Sequence, residues 1–186
     1  MKLLLNLHGI ILAVVNELEH AWPELLAEAI AKARHSGRTD VADFLALRAS
    51  NDLIRVAAVK WLFDSMIEVA SRAQSSFPML SIEREEPHSF RLRGADLTGS
   101  LLELRLGVRC LTLEAGWTRK PNDGFMRGGA LAFAKLTHFG LPRHNIELLL
   151  LKTEASPSWN IAGTTEGDAP FDIANIEQQF ELFIGG

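Results

Sequence analysis

The stretch from Gly116 to Gly129 holds the densest mixture of reactive and adhesive side chains in this sequence. Trp117, Phe125 and Met126 offer apolar contact, Arg119, Lys120 and Arg127 offer positive charge, and the interspersed glycines make the segment long for a plain hairpin. Such a combination presents an aromatic anchor ringed by cations, or closes as a lid over an anion. It is not a phosphate loop, because neither the Walker spacing ending in Gly-Lys-Ser/Thr nor the dinucleotide fingerprint occurs. The plainer reading makes Asn122-Asp123-Gly124 a turn, with Trp117 and Phe125 tucked back onto a sheet.

Six histidines raise the question of a metal. His8, His20, His35 and His88 are scattered without ligand spacing, whereas His138 and His144 flank one turn-rich segment whose ends a tight β connection brings together. Two imidazoles do not complete a metal site, so neither metal nor cofactor is assigned. The pair is retained as a ligand- or partner-contact candidate. Cys110 is the only thiol, which excludes an intrachain disulfide and an all-cysteine metal site. It falls on the apolar parity of an alternating run, as a core cysteine does.

No Gly-x-Ser-x-Gly elbow is present, and Glu85, Glu86, Asp96, Glu103 and Glu114 are close in sequence without a spacing that implies paired acids. Ten Phe and four Trp with no Tyr remove phenolic acid, base or nucleophile chemistry. No catalytic residue is assigned. The formal net charge of -4 excludes a protein built to coat nucleic acid by neutralising phosphates. Charge is unevenly spread, with ten Arg or Lys against six acids over 84–143, and six acids with no Arg or Lys over 153–186. A basic surface near Arg91, Arg93, Arg105, Arg109, Arg119, Lys120 and Arg127 either receives the acidic end internally or faces an acidic partner.

These residues must be positioned by two kinds of element. Lys2 precedes an apolar stretch, Leu3 to Val15, interrupted by Asn6 and His8 and shorter than the roughly 18 residues that span a bilayer. The stretch reads as an amphipathic helix continuing to Trp22, without export or a transmembrane segment, and a cytoplasmic location is expected. Pro23 starts or kinks a second helix, and Gly37 stops it. Thr39 caps a short helix, and Ser50 or Asn51 caps a longer one to about Ala73. The spacing turns Leu53, Ile54, Ala57, Ala58, Trp61, Leu62, Met66, Ala70 and Ala73 inward.

After Ser76 the apolar period falls to two. Leu80 and Ile82 suggest one strand and Phe90 and Leu92 another, with Gly94 through Gly99 as the turn before a third. That third run changes apolar parity between Cys110 and Leu111, which predicts a bulge or sharp bend there inside one long strand, with a flat core buried on both sides as the alternative. Residues 129–138 and 145–152 make the next pair, with Leu148 to Leu151 buried on both faces, and Ser158 to Ala162 a short strand in a mobile loop region. Ile173, Ile176, Phe180 and Phe183 fit a C-terminal helix, favoured over an edge strand by Asp172 at its start.

The expected fold is α+β, an N-terminal helical layer packed on a C-terminal antiparallel sheet with a C-terminal helix. Residues 1–76 form the helical subdomain and 77–186 the sheet subdomain, sharing one core. Functionally the sequence reads first as a small soluble protein-interaction or regulatory module, in the manner of an adaptor, chaperone-like or toxin-neutralising protein. Its contacts come from Trp117, Arg119, Lys120, Phe125, Arg127, His138 and His144. A protein partner is expected, self-assembly into a homo-oligomer is a third reading, and nucleic acid is not expected. The competing reading is an enzyme or small-ligand receptor with a pocket between helices and sheet, its mouth near His138, His144, Arg127 and Asp123.

Overall fold

The alternation that begins after Ser76 folds into a single antiparallel meander. In the computed structural model the described residues are 22–124, 126–153, 156–163 and 170–185. The N-terminal apolar stretch, the tip residue Phe125, and residues 155 and 164–169 of the 155–170 segment lie outside them. Six strands follow in spatial order: β1 (Ser81–Leu92), β2 (Ala95–Leu106), β3 (Arg109–Trp117), β4 (Ala132–His138), β5 (Ile146–Lys152) and β6 (Pro157–Ile161). Helix α1 covers 22–35, α2 is Thr39–Ala73, and α3 is Ile173–Gly185. The fold class is the α+β arrangement expected, and the C-terminal segment is the helix.

The chain divides into two compact units at Leu53/Ile54. In the first, α1 ends where the Gly37 and Arg38 N–H groups donate to the Arg34 and Ala33 carbonyls, which satisfies helix-end acceptors. Leu26, Ala33 and Ala42 are buried there, and the Arg48 guanidinium lies 5.5 Å from the centre of the Trp22 ring. Helix α2 is continuous for 35 residues, so Ser50 and Asn51 sit inside it and do not cap a new helix.

In the second unit, residues 54–73 of α2 and all of α3 lie on one face of the sheet, here the covered face. Phe63, Leu62 and Met66 pack with Leu102, Leu104, Leu111, Leu113, Leu136, Leu148 and Leu150, all fully buried, and α3 adds Ile176, Phe180 and Phe183. Each such side chain contributes about 1.5–3 kcal/mol on leaving water. Two hydrogen bonds fix α2: Arg55 Nε donates to the Leu131 carbonyl at 2.8 Å, and Trp159 Nε1 to the Ala58 carbonyl at 3.0 Å. The buried stripe keeps Leu62, Met66 and Ala70 of the predicted one, with Ile54, Ala58 and Ala73 half-buried against the core, and adds Val59, Phe63 and Val69, whereas Leu53, Ala57 and Trp61 are exposed, Leu53 by 70% and Trp61 by 41%. The helix is apolar on several sides, so its period alone does not select the face; the sheet does.

Several strand boundaries differ from expectation. Leu80–Ile82 and Phe90–Leu92 belong to one 12-residue strand region, β1, with a register shift between Glu85 and His88. Its hairpin to β2 turns at Arg93-Gly94, both at positive φ, as a two-residue type I′ loop requires, so Ala95 to Gly99 is strand and not turn. The parity change near Cys110 is not a bulge. Leu106 pairs with Arg109 across Gly107-Val108, and Gly107 at φ 62° opens a two-residue type II′ turn that separates β2 from β3. Val108 at its tip is 90% exposed.

Candidate functional site

The face of the sheet opposite the helices, here the open face, is built from the alternate residues of the same strands. Cross-strand pairing sets Glu85, Leu101, Glu114, Lys135 and Glu147 in one row across β1 to β5. A second row holds His88, Gly99, Gly116, Phe133, Leu149 and Asn160. A third runs Glu83, Glu103, Thr112, Thr137. The charged row is half-buried from Glu114 to Glu147. Beyond the glycines the face turns apolar, with Leu92, Ala95, Leu97, Ala130, Phe133 and Leu149 forming a second, smaller core.

The glycine pair shapes this surface. A Cβ built on Gly99 would stand 1.9 Å from the Ala115 carbonyl oxygen, and one on Gly116 would stand 2.7 Å from the Thr98 carbonyl oxygen. Only the absence of a side chain allows the two backbones to approach so closely. His88 lies directly opposite Gly99, and its ring reaches past β2 to Glu114 on β3, with Nε2 and Glu114 Oε1 at 3.0 Å. Nδ1 is 3.5 Å from Glu85 Oε1, and the ring stacks on Phe90 at a centroid distance of 5.9 Å. An imidazole held by carboxylates on both ring nitrogens can accept or pass a proton and fixes the charge pattern of the rim. Nearby, Arg93 Nε donates to Glu147 Oε2 at 2.7 Å, which ties the β1–β2 turn to β5.

The loop after β3 caps the apolar end of this face. The Asp123 carboxylate accepts the backbone N–H groups of Arg119 and Lys120 at 2.9 and 2.8 Å, closing a single 3-10 turn over Pro121–Asp123. Gly124 sits against Ala95 of β2, and Met126 packs on both cores. A shallow groove beside it is lined by Ser89, Phe90, Arg91, Asp96, Leu97, Thr98 and Asp123.

The predicted contact residues fall in separate places. Trp117 ends β3 on the covered face and is 6% exposed, a core residue with the Arg119 guanidinium 3.9 Å from its ring centre. Lys120 is exposed at the head of the loop. Arg127 lies in a second 3-10 turn, Arg127–Gly129. Phe125 lies outside the described residues. His138 and His144 do come together, with ring centroids 6.0 Å apart, and among the described residues no group of three or more His, Cys, Asp or Glu is placed to hold a metal ion. His138 is buried beneath α3 and its Nε2 lies 2.9 Å from Gln179 Oε1, while Arg143 Nε donates to His144 Nε2 at 3.1 Å.

The basic surface is largely answered locally. Arg93 pairs with Glu147, Arg105 with Glu103 and Arg91 with Asp96, and Arg109 donates to the Ile184 carbonyl at the end of α3. The Arg105 hydrogen bond holds the Glu103 carboxyl below its ordinary value. Burial, then the Glu103 charge, pushes the Cys110 thiol up, so the thiol stays protonated. Cys110 faces away from the main core, contrary to the parity reading, because the Gly107-Val108 turn resets the alternation.

The sequence named His88 among scattered histidines, Glu114 among nearby acids and Arg93 in a basic surface, but did not bring them together with Lys135 and Glu147. The Glu114, Lys135 and Glu147 row depends on the pairing of β3, β4 and β5, and the place of His88 beside it on the register shift in β1. No helix among the described residues is long and apolar enough to cross a membrane. No family model, curated protein or solved structure matches this chain.

Proposed function

We propose that this chain is a protein-interaction module whose contact surface is the open face of its sheet, flanked by the loop after β3. One observation carries the reading: the Glu114, Lys135 and Glu147 row, half-buried and alternating in charge, lies beside an apolar cluster capped by that loop. The cluster is itself buried and holds the strands that carry the row, and charges held in fixed positions on a binding face are what gives it its choice of partner. Both helical segments of this unit lie on the other face. Local neutralisation of Arg91, Arg93 and Arg105 favours a protein partner over a phosphate backbone.

The test is affinity capture from cells with three versions of the full chain: wild type, a face variant (Glu114→Lys with Lys135→Glu), and a control altered on the exposed side of α2 (Lys60→Glu). A partner held by wild type and control but lost by the face variant supports the assignment. Equal capture by all three overturns it.

A further inference from the structure

We propose that helix α3 is a pH-released latch: a proton gained by His138 shifts α3 from docked to free and uncovers the sheet beneath it. His138, the last residue of β4, is 3% exposed, and its only side-chain hydrogen-bond contact on α3 is the uncharged Gln179, 2.9 Å away and itself buried. That pair is the buried side-chain polar contact between α3 and the sheet, set beside the apolar contacts of Ile176, Phe180 and Phe183. A charge created there has to be answered by its neighbours or paid for by opening.

The neighbours do not answer it. From the 3-10 turn Pro142–His144 comes His144, whose ring centre is 6.0 Å away and which receives a hydrogen bond from the Arg143 guanidinium. On β3, His138 pairs with Leu111, and the nearby cation on that strand, Arg109, is bonded to the last turn of α3. On β5 the near residue is Ile146, and the acid next to it, Glu147, points to the open face toward Arg93. From α3 itself, Glu177 is engaged with Arg72 at the surface and Glu181 is exposed. The surroundings of His138 are thus neutral or cationic, and burial holds its imidazole below the ordinary value of 6.5, the Gln179 hydrogen bond opposing and His144 reinforcing that shift. A base whose pKa is lowered in the docked state contributes its full stability above the ordinary imidazole range, and loses it as pH falls below that range.

Hydrogen exchange of the full chain, followed by mass spectrometry and corrected for intrinsic rates, reads the latch directly. Between about pH 7.5 and pH 5.5 the opening constant of α3 amides should rise, approaching about tenfold per pH unit at its steepest, while amides of α2 residues 59–70 stay unchanged. His138→Gln keeps a neutral hydrogen-bonding side chain and should make α3 opening independent of pH. A wild-type α3 whose opening is flat across this range, or a dependence that survives in His138→Gln, overturns the proposal. If that variant does not fold, histidine-labelled wild type decides the matter by NMR. A His138 ring neutral to lower pH than free histidine, titrating with the α3 amide signals, supports the latch; a ring titrating normally while α3 stays unmoved removes it.

Discussion

The two faces of one sheet solve opposite problems with the same strands. The covered face is a dry core in which ten large side chains are essentially inaccessible, most of them Leu from β2 to β5, closed by Leu62, Phe63 and Met66 of α2. The open face keeps charges half-buried beside two glycines whose backbones approach closely across β2 and β3, and buries Leu97 and Phe133 beyond them. The difference teaches that strand parity decides here which residues enter the main core and which form the charged row. Moving one residue along a strand exchanges a packing position for a surface position.

The comparison can be broken most severely at its hinge. Gly99→Ala places a methyl group 1.9 Å from a backbone oxygen that no rotamer change can relieve, so the variant is expected to lose on the order of 3 kcal/mol or more, or to stay unfolded, in urea denaturation. Next comes a test of the faces themselves. Leu113→Ala removes a fully buried side chain from the covered face and should cost about 2–5 kcal/mol. Leu101→Ala, on the half-buried charged row, should cost distinctly less by the same measurement. Equal losses would mean that the open face is packed as tightly as the other.

Smaller effects sharpen the picture. Trp159→Phe keeps the ring in the core but removes the donor to the Ala58 carbonyl, which retains its place in the α2 ladder, so the loss should be about 1 kcal/mol in thermal or chemical denaturation. Arg105→Ala acts on the open face, where Glu103 carries a carboxyl lowered first by that arginine's hydrogen bond. NMR titration should show the Glu103 carboxyl returning upward toward 4.5. Since a lowered carboxyl adds stability above its unfolded value and loses it as pH falls, the variant should also flatten the acid limb slightly, the pair being largely solvated.

How far the sequence carried the argument depends on the element. The pair β4 and β5, the doubly buried Leu148–Leu150, the β6 segment and the α3 helix were all legible from period and turn residues, because each depends on contacts within a few residues or on a simple alternation. The hairpins were misplaced where short signals competed: Gly107-Val108 looked like an interruption of one strand, and Arg93-Gly94 was overshadowed by the Gly, Asp and Thr that follow it. On α2 the apolar residues go round more than one side, so Trp61 and Phe63 could not be told apart as surface and core without the sheet.

The sequence by itself determined that this is an α+β chain with one thiol, no phenol, a divided charge pattern and an alternating sheet region, because composition and local period are properties of neighbours along the chain. Only the tertiary structure decided which residues meet. The one-residue shift between Glu85 and His88 turns the second half of β1 over, and the bare Gly99 lets the His88 ring cross to Glu114. The same folding buries Trp117, which the sequence left open between a contact anchor and a ring tucked onto the sheet, and sets His138 under α3 beside Gln179. Register and close approach are settled by what strands from distant parts of the chain can jointly bury, and no local spacing encodes that.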